Sequence, residues 1–372
     1  MWNSVVQSNL HWPRAIILVD MNAFFAAIEE RDHEWLRGKP IVVGADPEGG
    51  TGRGVVSTAN YLARAYGIHS ALPISHAWKL AQVAQASGKP EAIFVGINGK
   101  AYHETSERIM SIIRNHVDSI EQVSVDEAYM DLSFARNYDT AKNIAETVQR
   151  EIFAAEQLSC SLGIGPNKLI AKIASDFRKP GGCTVVPTKE AEDFLAPMPI
   201  RKIPGIGPKT EQFFVQKGIR TVSDLKGFTK DELEERIGKW GLELYEKARG
   251  RDESPVTEEY EIKSIGEQET FSKDTHDPQI IIPHLQRMCR DVMVRLKENK
   301  FKGFRTVVIT VRFDNFETKS RSRTFTRPEV SENVLVFEAM RLLMPFLDSR
   351  ENLSHRRIRL IGVRVEKLIT DE

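Results

Sequence analysis

RAIILVDMNAFFAAIEER, residues 14–31, and IEQVSVDEAYMDL, residues 120–132, are the two stretches that decide the fold of this chain. In the first, an apolar run of strand length ends on Asp20, and apolar residues at helical spacing follow it. In the second, two strand candidates flank Asp126 and Glu127, as the arms of a tight turn would. Strand, helix and paired strands in this order predict an α/β or α+β domain.

The pattern continues outward from these stretches. Alternating strands and helices are predicted up to residue 177, with strands at Lys39–Gly44, Ile120–Val125, Ala128–Leu132 and Ser159–Ile164 and helices at Ala101–Val117, Thr140–Ala155 and Lys168–Phe177. From Thr188 to about Gly250 the pattern is wholly helical with short loops, which indicates a small helical domain. Arg251–Ser264 is polar and charged, as linkers are.

A second mixed segment follows this linker. It contains a helix (Pro283–Glu298), a strand (Thr306–Asp314), a basic extended segment (Thr318–Phe325), a helix (Ser331–Asp348) and a strand (Arg357–Val365). This order predicts a βαββαβ-type domain.

The composition is that of an ordinary globular protein. The 372 residues are 41% hydrophobic and carry 52 basic and 52 acidic side chains, so the formal net charge is zero. That length predicts two or three domains. No membrane span or signal peptide is indicated.

Three widely spaced cysteines without a CxxC pair argue against a disulfide framework or a cysteine-ligated zinc site. They fit a reducing compartment, and we expect the cytoplasm.

The zero net charge hides a polarised distribution. Residues 300–327 carry eight basic and two acidic side chains, a net charge of +6, and residues 355–367 carry a net charge of +4. Within the first segment Lys319, Arg321 and Arg323 alternate, so they share one face of a strand. Basic strand faces in one sheet would follow a phosphate backbone, which predicts nucleic acid as a partner. The alternative is a solvated charged face.

Asp20, Asp126 and Glu127 are the candidate catalytic residues. If their strands are neighbours, the three carboxylates converge at one sheet edge, where they repel unless cations lie between them. Hard divalent ions such as Mg²⁺ take carboxylate and phosphate oxygens, and two such ions can activate a hydroxyl while stabilising a leaving pyrophosphate. Taken singly, each residue is also explained as a helix cap or a hairpin turn.

Thr58, Tyr61, Arg64 and Lys179 are candidates for binding phosphate. Tyr61 and Arg64 are three residues apart on a predicted helix, so they project from one face. Arginine offers two parallel donors to phosphate oxygens and lysine a point charge. A solvated helix face and a Lys-Pro loop are the alternative. The GIGPNK and GIGPKT segments lack the spacing of a phosphate-binding P-loop.

IPGIGPKT, residues 203–210, predicts a turn between two short helices. Gly205 and Gly207 bound the turn and expose successive backbone N–H groups, which can hold a DNA phosphate without reading bases. Lys209 and Thr210 would assist. A plain helix–helix turn is the alternative.

Taken together, these motifs resemble those of Y-family DNA polymerases of the DNA polymerase IV (DinB) type. The motifs are LVDMNAFFAAIEE (18–30), STANYLAR (57–64), SVDEAYMDLS (124–133), GIGPNKLIAKIASDFRKPGG (163–182), IPGIGPKT (203–210) and KSRSRTF (319–325). They follow the family's order and extend over nearly the whole chain.

The resemblance implies an α+β multidomain right-hand polymerase. Its parts would be a ferredoxin-like palm, small fingers, a helical thumb with a helix-hairpin-helix, and a C-terminal βαββαβ-type little finger. The implied bounds are 1–23 and 90–186 for the palm, 24–89 for the fingers, 187–250 for the thumb, 251–264 for the linker and 265–372 for the little finger.

The resemblance also implies residue roles. Asp20, the Met21 carbonyl, Asp126 and Glu127 would hold two Mg²⁺ ions, with Glu127 also catalytic. The incoming dNTP triphosphate would be held by Thr58, Tyr61, Arg64 and Lys179. Phe25 matches the steric gate whose ring excludes a ribose 2′-OH. The thumb residues Gly205, Gly207, Lys209 and Thr210, and the basic strand residues Lys319, Arg321 and Arg323, would contact template–primer DNA.

The implied function is template-directed addition of dNTPs to a primer 3′-OH by a monomer, with low fidelity and translesion synthesis. Asn22 departs from the Asp that many members carry, at a position that is not a required metal ligand. The chain ends VEKLITDE without a QLSLF-like clamp-binding tail, so binding to a sliding clamp stays open. One competing interpretation is a non-catalytic DNA-binding scaffold of the same fold at stalled forks. Another is a cyclase-like nucleotidyl transferase that needs no template.

Overall fold

The computed structural model describes residues 14–258, 261–348 and 350–370. The chain separates into two compact units, residues 1–259 and 260–372, and each has its own hydrophobic core. None of the described helices is long and apolar enough to cross a bilayer. Cys160, Cys183 and Cys289 are all free thiols.

The first unit alternates strands and helices up to residue 185 and is helical beyond it. Its strands are β1 (Ile16–Met21), β2 (Ile41–Gly44), β3 (Val56–Ala59), β4 (Ile93–Val95), β5 (Ile120–Gln122), β6 (Glu127–Asp131), β7 (Cys160–Gly165) and β8 (Cys183–Val185). Its helices are α1 (Phe24–Asp32), α2 (Tyr61–Arg64), α3 (Ile74–Ala86), α4 (Gly99–Arg114), α5 (Tyr138–Glu156), α6 (Lys168–Phe177), α7 (Ala191–Leu195), α8 (Pro208–Gln216), α9 (Val222–Leu225), α10 (Lys230–Ile237) and α11 (Trp240–Lys247). The predicted α+β class is confirmed.

A five-stranded central sheet with the order β5-β6-β1-β7-β8 organises this unit. β1 lies in the middle, antiparallel to β6 and β7. Ile17 and Val19 join the core formed with α4 and α5, whereas Ile16 and Leu18 pack on the opposite face with Ala171 of α6. Because both faces are covered, residues 16–19 of β1 are an unbroken apolar run rather than an alternating one.

Helix α6 lies directly on β7 because that strand carries glycine at the contact. A Cβ placed on Gly163 would lie 1.9 Å from the Ala171 carbonyl oxygen and 2.3 Å from the Ser175 nitrogen. Both neighbours are backbone atoms, so no side-chain rotation could make room. The position of α6 over the central sheet therefore depends on the absence of a side chain at residue 163.

The residues between α1 and α4 include a small sheet of order β3-β2-β4. β2 is antiparallel to β3 and parallel to β4. Helix α3 covers this sheet with Ile74, Ala77 and Ala81. Neither α3 nor β4 was predicted from the sequence. β5 also ends at Gln122, three residues earlier than predicted, since the amides of residues 123 and 124 both donate to the Glu127 carbonyl.

The helical region after residue 188 packs around α6, whose Ile170, Ile173 and Ala174 share a core with α8 to α11. Its helices are short, and α9 and α10 begin with capping boxes. Thr229 accepts from the amide of Glu232, and the Glu232 carboxylate accepts from the amide of Thr229, which forms a capping box at the start of α10.

Residues 251–258, which were predicted to be part of a linker, lie against the central sheet. The Asp252 carboxylate accepts from the Leu169 amide at the start of α6 at 3.1 Å, and the Asn167 side chain donates to the Gly250 carbonyl at 2.7 Å. Val256 packs with Leu18 and its neighbours. This segment is therefore an ordered strap on the first unit.

The second unit has the predicted βαββαβ order. Its elements are β9 (Ser264–Thr275), α12 (Pro278–Glu298), β10 (Phe304–Phe313), β11 (Thr318–Glu329), α13 (Glu332–Leu347) and β12 (Ile358–Glu366). The strands form an antiparallel sheet of order β11-β10-β12-β9, here called the C-terminal sheet, and the two helices pack on one of its faces.

The predicted start of α12 at Pro283 is wrong. The helix begins at Pro278, where the Asp277 side chain caps the amide of Gln279 at 2.9 Å, and Pro283 lies inside it. Proline fits the first helical turn, where its missing N–H is not needed. The sequence contains two prolines five residues apart, and the prediction placed the helix start at the second one.

Candidate active site

The three candidate catalytic carboxylates meet at one edge of the central sheet. Asp20, near the end of β1, pairs directly with Glu127 at the start of β6. The Met21 amide donates to the Asp126 carbonyl at 2.9 Å, which fixes the turn beside β1. The strands of Asp20 and Glu127 are thus neighbours, which is the condition under which the sequence predicted this convergence.

Each of these carboxylates has a polar partner on the protein. Lys179 donates to Asp20 at 2.6 Å, and Lys172 of α6 forms an ion pair with Glu127. The Ser124 hydroxyl donates to Asp126 at 2.6 Å. Two ammonium groups thus stand against three carboxylates, and the cluster keeps an excess of negative charge.

The proton affinity of Asp20 reflects this crowding. Burial raises the pKa of Asp20 from 3.8 to about 6, since Lys179 offsets burial only in part while Glu127 and Asp126 push the pKa further up. A carboxylate that is costly to ionise beside two others is stabilised by a bound cation. All three groups offer hard oxygen donors, so the cluster fits a hard divalent ion.

In their present conformations, the three carboxylates are not close enough together to bind one metal ion. Among the residues described, no three His, Cys, Asp or Glu side chains converge closely enough to hold an ion. Asp20 and Glu127 are instead engaged by lysines. Binding a metal ion here requires these side chains to exchange partners.

A cavity of about 230 Å³ opens over the carboxylate cluster. Palm-side and fingers-side candidates line it together: Asp20, Met21, Asp126, Glu127 and Lys179, with Thr58, Tyr61 and Arg64, and in addition Ala23, Phe24 and Ser70. The four phosphate-binding candidates and the three carboxylates come from separate parts of the chain between residues 20 and 179, and they share one space.

The fingers-side residues are placed by the β3–α2 junction. Thr58 lies in β3, and the Asn60 side chain caps α2 by accepting from the Ala63 amide at 3.0 Å. The Arg64 guanidinium lies 4.8 Å from the centre of the Tyr61 ring, and its Nε donates to the Ala59 carbonyl at 2.8 Å. Stacking and this bond hold the arginine at the cavity wall.

Asn22 ties the two walls together, a role the sequence did not reveal. Its side chain is buried and accepts from the Ser161 hydroxyl at 2.8 Å and from the Tyr61 hydroxyl at 3.3 Å, while its amide group donates to Ser159 at 3.0 Å. Ser161 also accepts from the Gly181 amide at 3.0 Å, beside Lys179. Asn22 therefore acts as a structural bridge between β1, β7 and α2.

Phe25 lies on α1 next to this cavity, but it is not among the residues that line it. Its ring stacks on Tyr102 of α4, with centroids 4.2 Å apart and planes 11° apart. The Tyr102 hydroxyl in turn donates to the buried Glu29 carboxylate at 2.6 Å. The preceding Phe24 is buried and contributes to the cavity wall.

The predicted thumb turn precedes α8. Gly205 has a φ of +99°, in the region that favours glycine, and Gly207 is the residue before Pro208 at the start of α8. Gly205 and Lys209 are exposed, whereas Gly207 and Thr210 are half-buried. The turn thus presents backbone and a lysine to solvent at a helix N-terminus.

The basic strand β11 is an edge strand of the C-terminal sheet. Lys319, Arg321 and Arg323 lie on one face, opposite Val311, Ile309 and Val307 of β10, and these valines and isoleucine belong to the core under the helices. The basic residues therefore lie on the same side of the sheet as α12 and α13, although Arg321 and Arg323 stay exposed.

Each of these three residues has a partner within the second unit. Arg323 forms an ion pair with the buried Glu338 of α13, Arg321 pairs with Glu351 at 2.6 Å, and Lys319 donates to the Glu351 carbonyl at 3.1 Å. Inward-pointing charges of this kind also protect an edge strand from pairing with another chain.

The opposite face of the C-terminal sheet is rich in hydroxyl groups and carries two arginines that the sequence analysis did not single out. Arg312 of β10 and Arg364 of β12 lie on it. The hydroxyl-bearing residues on this face include Thr306, Thr310, Ser320, Ser322 and Thr324. The alternation that places Arg321 on one face of β11 places these residues on the other face. Alternation alone does not show on which of the two faces the helices pack.

Three family models match the chain. They are the impB/mucB/samB family over residues 19–176, the C-terminal domain of that family over residues 262–372, and the thumb domain of DNA polymerase iota over residues 201–252.

Curated relatives match nearly the full length. "DNA polymerase IV 2" of Methanosarcina mazei is 41% identical, covering 95% of this chain and 92% of that protein. "DNA polymerase IV" of Methanoculleus marisnigri is 41% identical, covering 95% of this chain and 94% of that protein. The protein of the same name from Streptococcus mutans is 40% identical, covering 95% and 92%.

Solved structures are similar over the same length. A Y-family DNA polymerase chimera of Dbh and Dpo4 is 30% identical, covers 96% of this chain and 100% of its own, and has a TM-score of 0.83. DinB from Sulfolobus solfataricus is 31% identical with the same coverage and a TM-score of 0.60. An insertion ternary complex of Dbh DNA polymerase is 30% identical, again with that coverage, with a TM-score of 0.63.

Proposed function

This chain belongs to the Y family of DNA polymerases, in the DNA polymerase IV (DinB) group, and on that premise we propose that it extends a primer 3′ end along a DNA template by two-metal phosphoryl transfer. The substrates are dNTPs and a template–primer duplex. The domain bounds predicted for palm, fingers, thumb, linker and little finger belong to the same proposal, as does the monomeric state.

The observation that carries the proposal is the shared cavity. Asp20, Asp126 and Glu127 line the same 230 Å³ space as Arg64 and Lys179. Acidic groups suited to metal ions and basic groups suited to phosphates thus face one another, which is the charge arrangement that a nucleoside triphosphate with its metal ions requires.

The palm side would hold two Mg²⁺ ions through Asp20, the Met21 carbonyl, Asp126 and Glu127. When bound, such ions lower the pKa of the attacking primer hydroxyl and stabilise charge on the leaving pyrophosphate. Burial raises the pKa of Asp20 to about 6, so a cation would compete with a proton for this ligand only below about that pH.

The fingers side would bind and orient the triphosphate. Arg64 is held by its bond to Ala59 and its stacking on Tyr61, so its remaining guanidinium N–H groups can serve phosphate oxygens with little loss of freedom. Thr58 and Tyr61 add hydroxyl donors. Lys179 exchanges its present contact with Asp20 for a phosphate oxygen, which frees that carboxylate.

Phe25 would act as the steric gate. Its ring is held from behind by Tyr102, so it cannot swing away to make room for a ribose 2′-OH. A clash of this kind selects dNTPs over rNTPs more strongly than the loss of one favourable contact would.

The grip on duplex DNA would be sequence-independent. In the first unit, the turn of Gly205 and Gly207 with Lys209 and Thr210 offers backbone N–H groups and an ammonium group to phosphates. In the second unit, we keep Lys319, Arg321 and Arg323 as candidates. Phosphates must compete with Glu338 and Glu351 for these side chains. We add Arg312 and Arg364 on the opposite face, with the surrounding hydroxyl groups, as further phosphate contacts. Arg364 pairs with Glu366 at 2.6 Å, so a phosphate must compete with that carboxylate as well.

Low-fidelity translesion synthesis rests on family membership. The family's open site with small fingers tolerates damaged templates, and among the described residues of this chain only Phe24, Thr58, Ser70 and two residues of the four-residue helix α2 line the cavity from the proposed fingers. Extension past a template lesion, compared with extension on the matching undamaged template, tests this part separately.

Primer extension with Mg²⁺ and single dNTPs tests the central proposal. We expect template-dependent addition by the wild type, and a loss of at least about a hundredfold in rate for Asp126→Asn, because a metal-binding charge disappears while size is kept. Asp118→Asn, an exposed carboxylate before β5, is the matched control and should leave the rate unchanged. Tight duplex binding without any extension by the wild type would instead support the non-catalytic scaffold.

A further inference from the structure

Lys172 has no place in the proposed mechanism, yet it is the side chain that engages Glu127. It lies on α6, at the helix face turned toward the carboxylate cluster, and its ammonium group forms an ion pair with Glu127. The Glu127 side chain is only 16% exposed. The Lys172 side chain is 39% exposed, so the pair is shielded from solvent mainly on the side of the carboxylate.

One helical turn earlier, Lys168 forms a similar pair with a different carboxylate. Lys168 donates to both oxygens of Glu121, at 2.9 and 2.8 Å, and lies 5.6 Å from the centre of the Tyr129 ring. Lysines four residues apart share one face of a helix. Glu121 lies outside the cavity that holds Asp20 and Asp126, so the two lysines differ in whether they reach the active site.

The fixed position of α6 makes the Lys172 contact a defined one. The helix packs on β7 at the Gly163 contact, and β7 pairs with β1, which pairs with β6. Lys172 and Glu127 are thus held on adjoining rigid elements, and the ammonium group neutralises a carboxylate that would otherwise repel Asp20 and Asp126.

From this geometry we propose that Lys172 is a positioning residue that holds the Glu127 side chain at the sheet edge until a divalent cation binds, and that the cation must displace its ammonium group. The inference rests on the proposed function, in which Glu127 is a metal ligand. The exchange replaces one cation by another at the same carboxylate oxygens, with no bond made or broken elsewhere. Lys172 therefore sets the metal concentration at which the site fills.

Direct binding of Mn²⁺ to the metal-free enzyme tests this inference, with the free ion measured by electron paramagnetic resonance. Because an ion within a few ångströms changes the cation affinity of a carboxylate by about tenfold or more, we expect Lys172→Met to bind Mn²⁺ about tenfold more tightly than the wild type. Lys172→Arg keeps the charge and should stay close to the wild type, and so should the matched control Lys168→Met. Thermal melting of each variant confirms that it folds.

The same shift should appear in the dependence of primer extension on the Mn²⁺ concentration. The Mn²⁺ concentration for half-maximal primer extension should fall with Lys172→Met by about the factor measured in binding, since the same exchange limits both. Lys168→Met should leave this concentration at the wild-type value.

The possible failures are distinguishable. If Mn²⁺ binding requires Asp126, as Asp126→Asn would reveal, but is unchanged in Lys172→Met, the role of Lys172 is refuted while the proposed function stands. Equal tightening by Lys172→Met and Lys168→Met would also refute it, since only the net charge would then matter. If the wild type binds no Mn²⁺, or binds it independently of Asp126, the metal site and the role of Lys172 fail together.

Discussion

Replacing Tyr102 with Phe removes a single buried hydrogen bond next to the proposed steric gate. The Tyr102 side chain is 2% exposed, and its hydroxyl donates at 2.6 Å to Glu29 of α1, which is 3% exposed. Burial and this bond raise the pKa of Tyr102, so the hydroxyl stays a donor throughout the usable pH range. The substitution keeps the ring that stacks on Phe25 at 4.2 Å.

The cost follows from the groups involved. A buried hydrogen bond to a charged partner contributes roughly 1.5–3 kcal/mol, and its loss leaves a carboxylate without a donor. His33 Nδ1 remains 3.2 Å from the second oxygen of Glu29, which reduces the penalty. We therefore expect the local stability of the α1–α4 contact to fall by about 2 kcal/mol. At 1.36 kcal/mol per factor of ten, this is roughly a 30-fold change in opening.

Hydrogen exchange detected by mass spectrometry measures this opening locally, which avoids treating a two-unit chain as a single transition. Peptides from α1 and α4 should exchange roughly 30-fold faster in Tyr102→Phe. Tyr66→Phe is the matched control, because the Tyr66 hydroxyl bonds to the Pro90 carbonyl at the surface. The preference for dNTPs over rNTPs should stay unchanged, since the ring behind Phe25 is kept.

Two results would refute this reasoning. Exchange in α1 and α4 that changes no more than in Tyr66→Phe would mean that the bond between Tyr102 and Glu29 contributes no net stability. Faster exchange accompanied by a weaker preference for dNTPs would mean that the hydroxyl, and not the stacked ring, holds Phe25 in place.

Further outcomes follow from other contacts. Phe25→Val should raise incorporation of rNTPs relative to dNTPs by roughly a hundredfold, measured as the ratio of kcat/KM in single-nucleotide insertion. Glu156→Gln should destabilise the first unit by about 2 kcal/mol at pH 7, as thermal melting across pH would measure. The hydrogen bonds from Arg108 hold the pKa of Glu156 below its ordinary value of 4.5, so this difference is full above pH 4.5 and disappears as the pH falls through the folded-state pKa. Arg364→Ala should lower by about 1 the slope of log affinity for duplex DNA against log salt, measured by fluorescence anisotropy. By contrast, Arg323→Ala should lower the melting temperature of the second unit, because the buried Glu338 carboxylate loses one of its two arginine partners and keeps only Arg341.

The parts of the fold that the sequence predicts well are those with a strong local signal. The first four residues of β1 are apolar without a break because both faces of the strand are covered. Helix α6 has the predicted bounds because Asn167 caps it and its apolar face is continuous. Convergence of Asp20 with Glu127 was predicted only for the case that their strands are neighbours, because a tight turn fixes the pairing of β5 with β6 and not that of β6 with β1. In contrast, α3 was not predicted because most of its buried residues are alanines, which carry little hydrophobic signal.

What the sequence could not predict depends on long-range partners. Lys172 and Asn22 gain their roles from side chains that lie far away in the chain, and neither residue type signals such a contact. The alternation in β11 predicted that Lys319, Arg321 and Arg323 share one face, which is correct, but alternation is silent about which face the helices cover. The three basic residues lie on the side of the helices, where each contacts a glutamate of its own unit while its side chain stays partly exposed.

The glycine at position 163 has a consequence for genetics. Its missing side chain lets α6 rest on β7, and α6 carries Lys172 toward the carboxylates on the far strands. A random mutagenesis screen for lost polymerase activity would therefore recover substitutions at Gly163 together with those at Asp20, Asp126 and Glu127. Read without a structure, such a screen would count Gly163 as part of the chemistry. It is instead a position of high mutational sensitivity whose only contribution is to leave room.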